Sequence, residues 1–282
     1  MNNIHKNQKV ILVVIDGLRF QTATQYCGFL ESLCAGGKAR RNLMKAVLPT
    51  LSAPIYETLH TGMEPHTHGI TSNDNVRLSD KSNVFSIARQ HNRTTAAVAH
   101  SLFSCLYNQS PYDPIFGQEV DDPDLTIQHG RFYTEHGHTS FNLMLPSDAD
   151  LMNKASMLIA RNSPDYLLLH TSGCDAIGHA YGGGSDEYCK QAWNADNELA
   201  KSVPFWQAEG YRVLVTADHG FTSFGHHGGS GDDVRDIPFY DIGHPTPGIS
   251  ETVLCQLSVA PTILSLMGLS IPREMSGSPL GN

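Results

Sequence analysis

The sequence lacks a long hydrophobic run. Its first apolar stretch, Val10 to Ile15, is too short for the core of a signal peptide or for a membrane span, and no 18-residue apolar run follows. The residues before that stretch are polar. We therefore expect a soluble, cytoplasmic protein without a membrane partner.

Paired cysteines and a basic surface are lacking as well. The six cysteines contain no C-x-x-C pair, so reduced thiols are expected in a chain without an export signal. The net charge is -9 and no basic stripe is visible, which argues against a stable complex with nucleic acid. A small phosphate ester, with nucleotides among the candidates, is compatible with this charge because bound metal ions can reverse the local field.

What the sequence does contain is an alternation of buried strands and helices. A chain of 282 residues suits one large α/β domain, and we assign residues 1–282 to a single catalytic domain. The alternation predicts a mostly parallel central sheet with helices on both faces. Strands are expected at 9–16, 94–99, 165–170, 211–218 and 237–243, and the longer helices at 20–34, 148–161, 186–208 (with a break at Pro204) and 258–269.

Residues 109–146 interrupt this alternation. They contain four prolines, an aspartate cluster and the string HGRFYTEHGH. Long stretches without periodicity are usually functional loops. We expect a small cap-like insertion, a cap or lid within the catalytic domain. Its histidines, Arg131 and Tyr133 either contact substrate or form an exposed polar loop.

An acidic side chain follows each of the three long buried strands, and histidines follow two of them. The carboxyl ends of parallel strands face one crevice, so these side chains are expected to meet there. Carboxylates and imidazoles suit zinc or manganese, and three of each with a hydroxyl are enough for two divalent ions. Zinc is the first expectation. The side chains are Asp16, Asp175, His179, Asp218, His219 and one of the adjacent pair His226 and His227.

A hydroxyl-rich stretch supplies candidate nucleophiles. LPTLSAPIYETLHTG, residues 48–62, offers Thr50, Ser52, Thr58 and Thr61, and no G-x-S-x-G elbow surrounds them. A hydroxyl bound to a divalent ion loses its proton near neutral pH and then needs no histidine base. The pattern alone leaves open which hydroxyl is used.

These motifs resemble the alkaline phosphatase superfamily. VVIDG, PTLSAPIYETLHTGMEPHTHGI, DAIGHAYG, TADHG and HHGG are similar to its nucleotide pyrophosphatase/phosphodiesterase branch, also called type I phosphodiesterases. The likeness runs from about residue 9 to residue 270 and implies an alkaline phosphatase-like fold. Ser52 stands where the branch usually has Thr, and Ile55 where it usually has Asn. The chain also lacks the long insertions of extracellular members, so their substrates are not transferred to it.

The resemblance also implies roles for individual residues. Ser52 falls on the nucleophile, and Asn73 on an asparagine that hydrogen-bonds a phosphoryl oxygen of the substrate. His227, which precedes Gly228, matches the last histidine better than His226 does. One ion is then implied to be held by Asp16, Ser52, Asp218 and His219, and the other by Asp175, His179 and His227.

The expected activity is hydrolysis of phosphodiester or phosphoanhydride bonds by a two-metal enzyme with a phosphoseryl intermediate. A phosphomonoesterase or phosphomutase of the same superfamily is an alternative, but such enzymes usually need arginines, and only Arg19 and Arg77 lie near the motifs. A sulfatase would need an arginine where Tyr56 stands. A non-catalytic binding module would have lost ligands or the nucleophile, and none is missing.

Overall fold

The computed structural model describes residues 7–135 and 145–280, and one sheet lies at the centre of this part of the chain. Apolar runs such as KVILVVI form its interior strands. The strands are β1 (Lys9–Ile15), β2 (Ala39–Lys45), β3 (Thr95–His100), β4 (Glu119–Asp121), β5 (His129–Tyr133), β6 (Tyr166–Thr171), β7 (Tyr211–Thr216), β8 (Asp236–Ile242), β9 (Gly248–Ile249) and β10 (Leu254–Cys255).

The sheet is mixed and mostly parallel. Its order is β10-β2-β8-β7-β1-β6-β3-β5-β4, with β9 beside β2. The neighbours from β7 through β1, β6 and β3 to β5 are parallel, while β8 runs antiparallel to both β7 and β2. Val10 to Ile15 are fully buried, so both faces of the sheet are covered at its centre. The predicted fold class is confirmed.

Helices connect the strands and cover the sheet. In the described ranges no helix is both long enough and apolar enough to cross a membrane. A 3-10 turn at Gln256–Ser258 precedes the last helix. The helices are α1 (Phe20–Tyr26), α2 (Gly28–Ala35), α3 (Ser52–Thr61), α4 (Pro65–His68), α5 (Val84–Gln90), α6 (Ser101–Tyr107), α7 (Asp148–Asn162), α8 (Gly173–Tyr181), α9 (Asp186–Ala208), α10 (Asp232–Arg235) and α11 (Val259–Leu266).

The predicted break at Pro204 is wrong, because α9 runs through it as one 23-residue helix. A proline removes one backbone donor from a helix and disfavours the preceding turn. In α9 that cost is offset by packing: Leu199, Val203 and Trp206 around the proline are fully buried. The indole N–H of Trp206 also donates to Ser156 on α7. Tertiary contacts therefore outweigh the local preference.

The segment 109–146 is partly built into the sheet. It contributes β5, which pairs in parallel with β3, and β4, which pairs antiparallel with β5. Both His129 and Arg131 reach Asp121 on the neighbouring strand, His129 at 2.7 Å and Arg131 at 2.7 Å. Residues 136–144, including two of the histidines considered for substrate contact, lie outside the described residues. The role of this segment as a cap stays a prediction.

Candidate active site

The three central strands deliver the predicted acidic residues to one edge of the sheet. β7, β1 and β6 are immediate neighbours. Asp16 directly follows β1, Asp218 follows β7 by two residues, and Asp175 lies in the first turn of α8 after β6. Their exposed fractions are 3%, 0% and 9%. Sheet topology therefore gathers three nearly buried carboxylates.

The first group consists of Asp16, Asp218, His219 and Ser52. The Nε2 atom of His219 lies 3.6 Å from Asp16 Oδ1 and 3.3 Å from Asp218 Oδ2. The hydroxyl of Ser52 lies 3.5 Å from the same nitrogen. The structure thus brings the four residues of the first implied ion site together.

The second group consists of Asp175, His179 and His227. His227 Nε2 lies 3.2 Å from His179 Nε2 and 3.6 Å from Asp175 Oδ1, while His179 Nε2 lies 3.6 Å from Asp175 Oδ2. The rings of His219 and His227 stack with centroids 3.8 Å apart, so the two groups adjoin. His226 is exposed and is not among these contacts.

The spacing of these atoms fits divalent ions. Four ligands about 2.1 Å from zinc in a tetrahedron lie roughly 3.4 Å from one another. The distances quoted above run from 3.2 to 3.6 Å, which is too long for most of these pairs to be good hydrogen bonds. Two ligand atoms that bind the same ion must lie at about this distance from each other.

One oxygen of each carboxylate has no hydrogen-bond partner within residues 7–135 and 145–280. These buried atoms are Asp16 Oδ1, Asp175 Oδ1 and Asp218 Oδ2. The other oxygen of Asp218 accepts from the backbone N–H groups of Gly17 and His219. Buried polar atoms are rarely left unpaired, because each costs the free energy of its lost hydration. The donor set therefore fits metal ions.

The three histidines point the same nitrogen at the site. His219, His179 and His227 each place Nδ1 within 2.9–3.1 Å of a backbone carbonyl, those of Gly220, Gly225 and Thr50. An Nδ1–H that donates to a carbonyl fixes the tautomer in which Nε2 carries a lone pair. This arrangement orients neutral imidazoles as ligands.

Burial shifts the pKa values of the histidines and the aspartates in opposite directions. The shift at the histidines favours metal binding, and the shift at the aspartates opposes it. Burial lowers the pKa of His219 well below its usual value and that of His227 to about 4, so both rings are neutral near pH 7. Burial also raises the pKa of Asp16 to about 7, and it raises those of Asp175 and Asp218 well above their usual range. Crowded carboxylates of this kind call for a compensating positive charge.

A hydrogen-bond chain that the sequence did not reveal fixes the other oxygen of Asp16. Asp16 Oδ2 accepts from the Tyr56 hydroxyl at 2.5 Å and from His170 Nε2 at 3.1 Å. The Tyr133 hydroxyl donates to His170 Nδ1 at 2.8 Å and lies 2.7 Å from Ser172 Oγ. Tyr56 lies one helical turn after Ser52, and this spacing is the only signal that could have found it.

Phe221 is a second missed residue, and it packs among the three histidines. Its ring centroid lies 4.9 to 5.9 Å from those of His179, His219 and His227. A Cβ at Gly17, which has φ +77°, or at Gly178 would approach the Phe221 ring to 2.8 Å. Glycine is therefore required at both positions beside the ligands.

Ser52 and Asn73 lie on the same wall of the site. Ser52 is the first residue of α3, so its hydroxyl lies at the helix N-terminus. The backbone N–H of Ala53 donates to Asn73 Oδ1 at 2.9 Å, so this hydrogen bond joins Asn73 to the first turn of α3. Asn73 itself is exposed.

These side chains line a cavity of about 170 Å³. Of the described residues around it, none is Arg or Lys, and the sequence of residues 136–144 contains neither. Arg19 and Arg77 donate to the carbonyls of Gly183 and Gly69. The cavity lining includes Glu135, which the sequence analysis did not single out, together with Asp16, Ser52, Tyr56, Asn73, His100, Leu102, Asp175, Ala176, His179 and His227.

The fold and these residues define a member of the alkaline phosphatase superfamily, whose members include phosphoester hydrolases and transferases. A model of the family "Type I phosphodiesterase / nucleotide pyrophosphatase" matches residues 10–235. The chain belongs to that family, as the sequence motifs predict.

Two curated relatives show how far the likeness in sequence extends. The 2,3-bisphosphoglycerate-independent phosphoglycerate mutase of Serratia proteamaculans (strain 568) is 32% identical over 148 residues, which are 48% of this chain and 26% of the mutase. The catalytic subunit of GPI ethanolamine phosphate transferase 2 of Homo sapiens is 25% identical over 298 residues, which are 96% of this chain and 27% of the transferase. The chain thus spans about a quarter of the length of each relative.

A solved structure shows the shared fold over 96% of the chain. Murine ectonucleotide pyrophosphatase/phosphodiesterase 5 aligns with a TM-score of 0.72 at 13% identity, covering 96% of this chain and 98% of the murine chain. An inactive form of the murine protein in complex with AMP gives a TM-score of 0.70.

Proposed function

We propose that the protein hydrolyses phosphodiester or phosphoanhydride bonds with two divalent ions, most simply zinc, through a phosphoseryl intermediate on Ser52. The observation that carries this proposal is the convergence of three carboxylate oxygens, which lack a hydrogen-bond partner among the described residues, with three histidine Nε2 atoms, of which that of His219 lies 3.5 Å from the Ser52 hydroxyl. Manganese is the alternative metal, because the same carboxylates and imidazoles suit it.

Ser52 is placed to attack phosphorus. Its hydroxyl lies at the N-terminus of the ten-residue helix α3, where the partial positive charge of the helix favours an alkoxide and anionic phosphoryl oxygens. The divalent ions, when bound, supply positive charge that lowers the pKa of the hydroxyl and stabilises the entering and leaving oxygens. The Ser52 oxygen bonds to phosphorus while the first alcohol leaves with a proton. Water then hydrolyses the phosphoseryl ester and restores the hydroxyl.

Asn73 is placed to hold a phosphoryl oxygen. The bond from Ala53 N–H fixes its Oδ1, which leaves Nδ2 as the donor toward the substrate. A neutral donor of this kind binds more strongly as negative charge develops in the transition state.

Replacing Asn73 with alanine is expected to lower kcat, by an amount that corresponds to about 2–4 kcal/mol of transition-state stabilisation. Metal content is expected to change little, since Asn73 lies outside both ligand groups. The measurements are steady-state kinetics and elemental analysis. Asn75→Ala, two residues along the same exposed turn, is the matched control. Loss of metal or of folded structure in Asn73→Ala would instead assign this residue a structural role.

The charge of the cavity favours diesters over monoesters. A monoester dianion usually calls for an Arg or Lys beside the metals. Arg131, the only Arg or Lys in the segment 109–146, reaches Asp121 and the carbonyl of Val120. A diester carries one negative charge fewer, so two ions and Asn73 suffice for it. The same comparison argues against the mutase alternative.

The kcat/KM for bis-p-nitrophenyl phosphate is therefore expected to exceed that for p-nitrophenyl phosphate. Both esters release the same chromophore, so one assay of the metal-loaded enzyme compares them. A tenfold or greater preference for the monoester, which corresponds to about 1.4 kcal/mol in the barrier, would overturn the diesterase proposal. That result would leave the two-metal mechanism standing.

A further inference from the structure

A second cavity adjoins the one that contains the ligand groups. This second cavity, called the side cavity below, measures about 620 Å³ and shares His100, Leu102 and Glu135 with the cavity of about 170 Å³ at the ligand groups. A substrate with phosphorus beside Ser52 has a direct route for one ester group into this larger space. Its remaining described lining is Ser101, Cys105, Tyr112, Pro114 and Thr134.

The walls of this side cavity are mostly apolar, and Glu135 supplies the only carboxylate among its described lining residues. Neither Arg nor Lys lines the described part of either cavity. Glu135 is half-buried at the junction of the two spaces. Glu135 therefore places a negative charge where the phosphoryl group of a bound substrate would join its ester group.

The charge of Glu135 is not needed for the proposed ions. The two ligand groups already supply three aspartates against two divalent cations, which leaves one positive charge for a diester anion. Glu135 is a fourth carboxylate, and it lines the same cavity as Asp16 and Asp175. A substrate with a positively charged group restores the charge balance of the site, whereas a substrate with further phosphates adds to its negative charge.

We propose that the side cavity binds the second ester group of the substrate and that Glu135 selects an ester group with an ammonium nitrogen close to phosphorus. The nitrogen lies at the junction beside the carboxylate, and the carbon atoms around it pack against Leu102 and Tyr112. Choline- or ethanolamine-type phosphoesters have this chemistry. This inference rests on the proposed function, because it takes phosphorus to lie beside Ser52.

The test compares two ligands that differ only in charge. Phosphocholine and 3,3-dimethylbutyl phosphate have the same shape, with nitrogen replaced by carbon in the second. Their dissociation constants are measured by calorimetry on zinc-loaded Ser52→Ala protein, which cannot form the phosphoseryl ester. We expect phosphocholine to bind about tenfold more tightly, the effect of one partly desolvated ion pair.

Adding Glu135→Gln to that protein is expected to reduce the preference to less than about twofold, while Glu135→Asp preserves part of it. Glu119→Gln removes an exposed carboxylate from the same segment and is the matched control; it is expected to leave the preference unchanged. Equal binding of the two ligands to the protein with Glu135 intact would overturn the inference, as would a preference that survives Glu135→Gln.

Failure of the proposed function gives a different result. A Ser52-intact enzyme that turns over no phosphoester, but still prefers phosphocholine through Glu135, would reject the hydrolase and retain the cation-selective subsite. An active diesterase without that preference would do the reverse.

Discussion

Replacing Ser52 with alanine is expected to reduce turnover by about 10³-fold or more, as removal of a covalent nucleophile does in other enzymes. The fold and most of the metal are expected to persist, since the first ion group keeps Asp16, Asp218 and His219 at their present distances. The measurements are kcat on bis-p-nitrophenyl phosphate and the metal content of the same sample.

Thr50→Ala is the matched control, because it removes a hydroxyl two residues away. The Thr50 hydroxyl donates to the carbonyl of Gly229 and accepts from the N–H of Gly228, so its loss loosens a loop but removes no proposed nucleophile. A much smaller loss of activity is therefore expected. If Thr50→Ala were inactive and Ser52→Ala active, Ser52 could not be the nucleophile.

Removing divalent ions with a chelator is expected to abolish activity, and zinc or manganese is expected to restore it. The reason is that, in the described part of the chain, the histidine beside the Ser52 hydroxyl is His219. Burial lowers the pKa of His219 well below its usual value, and its Nε2 also faces the proposed ligands Asp16 and Asp218. Elemental analysis of the active protein is expected to find two ions per chain.

Asp175→Asn separates the two ion sites, since it alters a carboxylate that contacts His179 and His227 but lies outside the first group. It is expected to lower the metal content by about one ion while the first site retains its ligands. A fully active sample with at most one ion per chain would contradict the two-metal assignment.

The acidic cluster could be predicted from the sequence because its position follows from topology. Asp16 and Asp218 each follow a mostly apolar strand, and such strands lie side by side in parallel sheets. Aspartates that meet at one edge of the sheet then indicate metal binding there. Neither the position of these residues nor their chemistry requires knowledge of side-chain packing.

The residues that support the cluster could not be predicted in this way. Tyr56, His170 and Tyr133 come from α3, β6 and β5, and only the folded chain joins them to Asp16. β5 itself was missed because HGRFY is short and contains a glycine, so its strand character depends on pairing with β3. Glu135 follows this strand by two residues, and so its approach to the cavity was hidden as well.

Thr50 binds the loop at Gly228 through both its carbonyl and its hydroxyl, and it thereby connects the nucleophile to the second ligand group. Its carbonyl orients His227 while its hydroxyl bridges Gly228 and Gly229, and Ser52 lies two residues further along the chain. A local opening that frees this loop would displace a ligand of one ion and the nucleophile on the other together. When this loop opens, the two halves of the site are therefore lost together as one cooperative unit, whereas a change confined to one ligand leaves the loop closed.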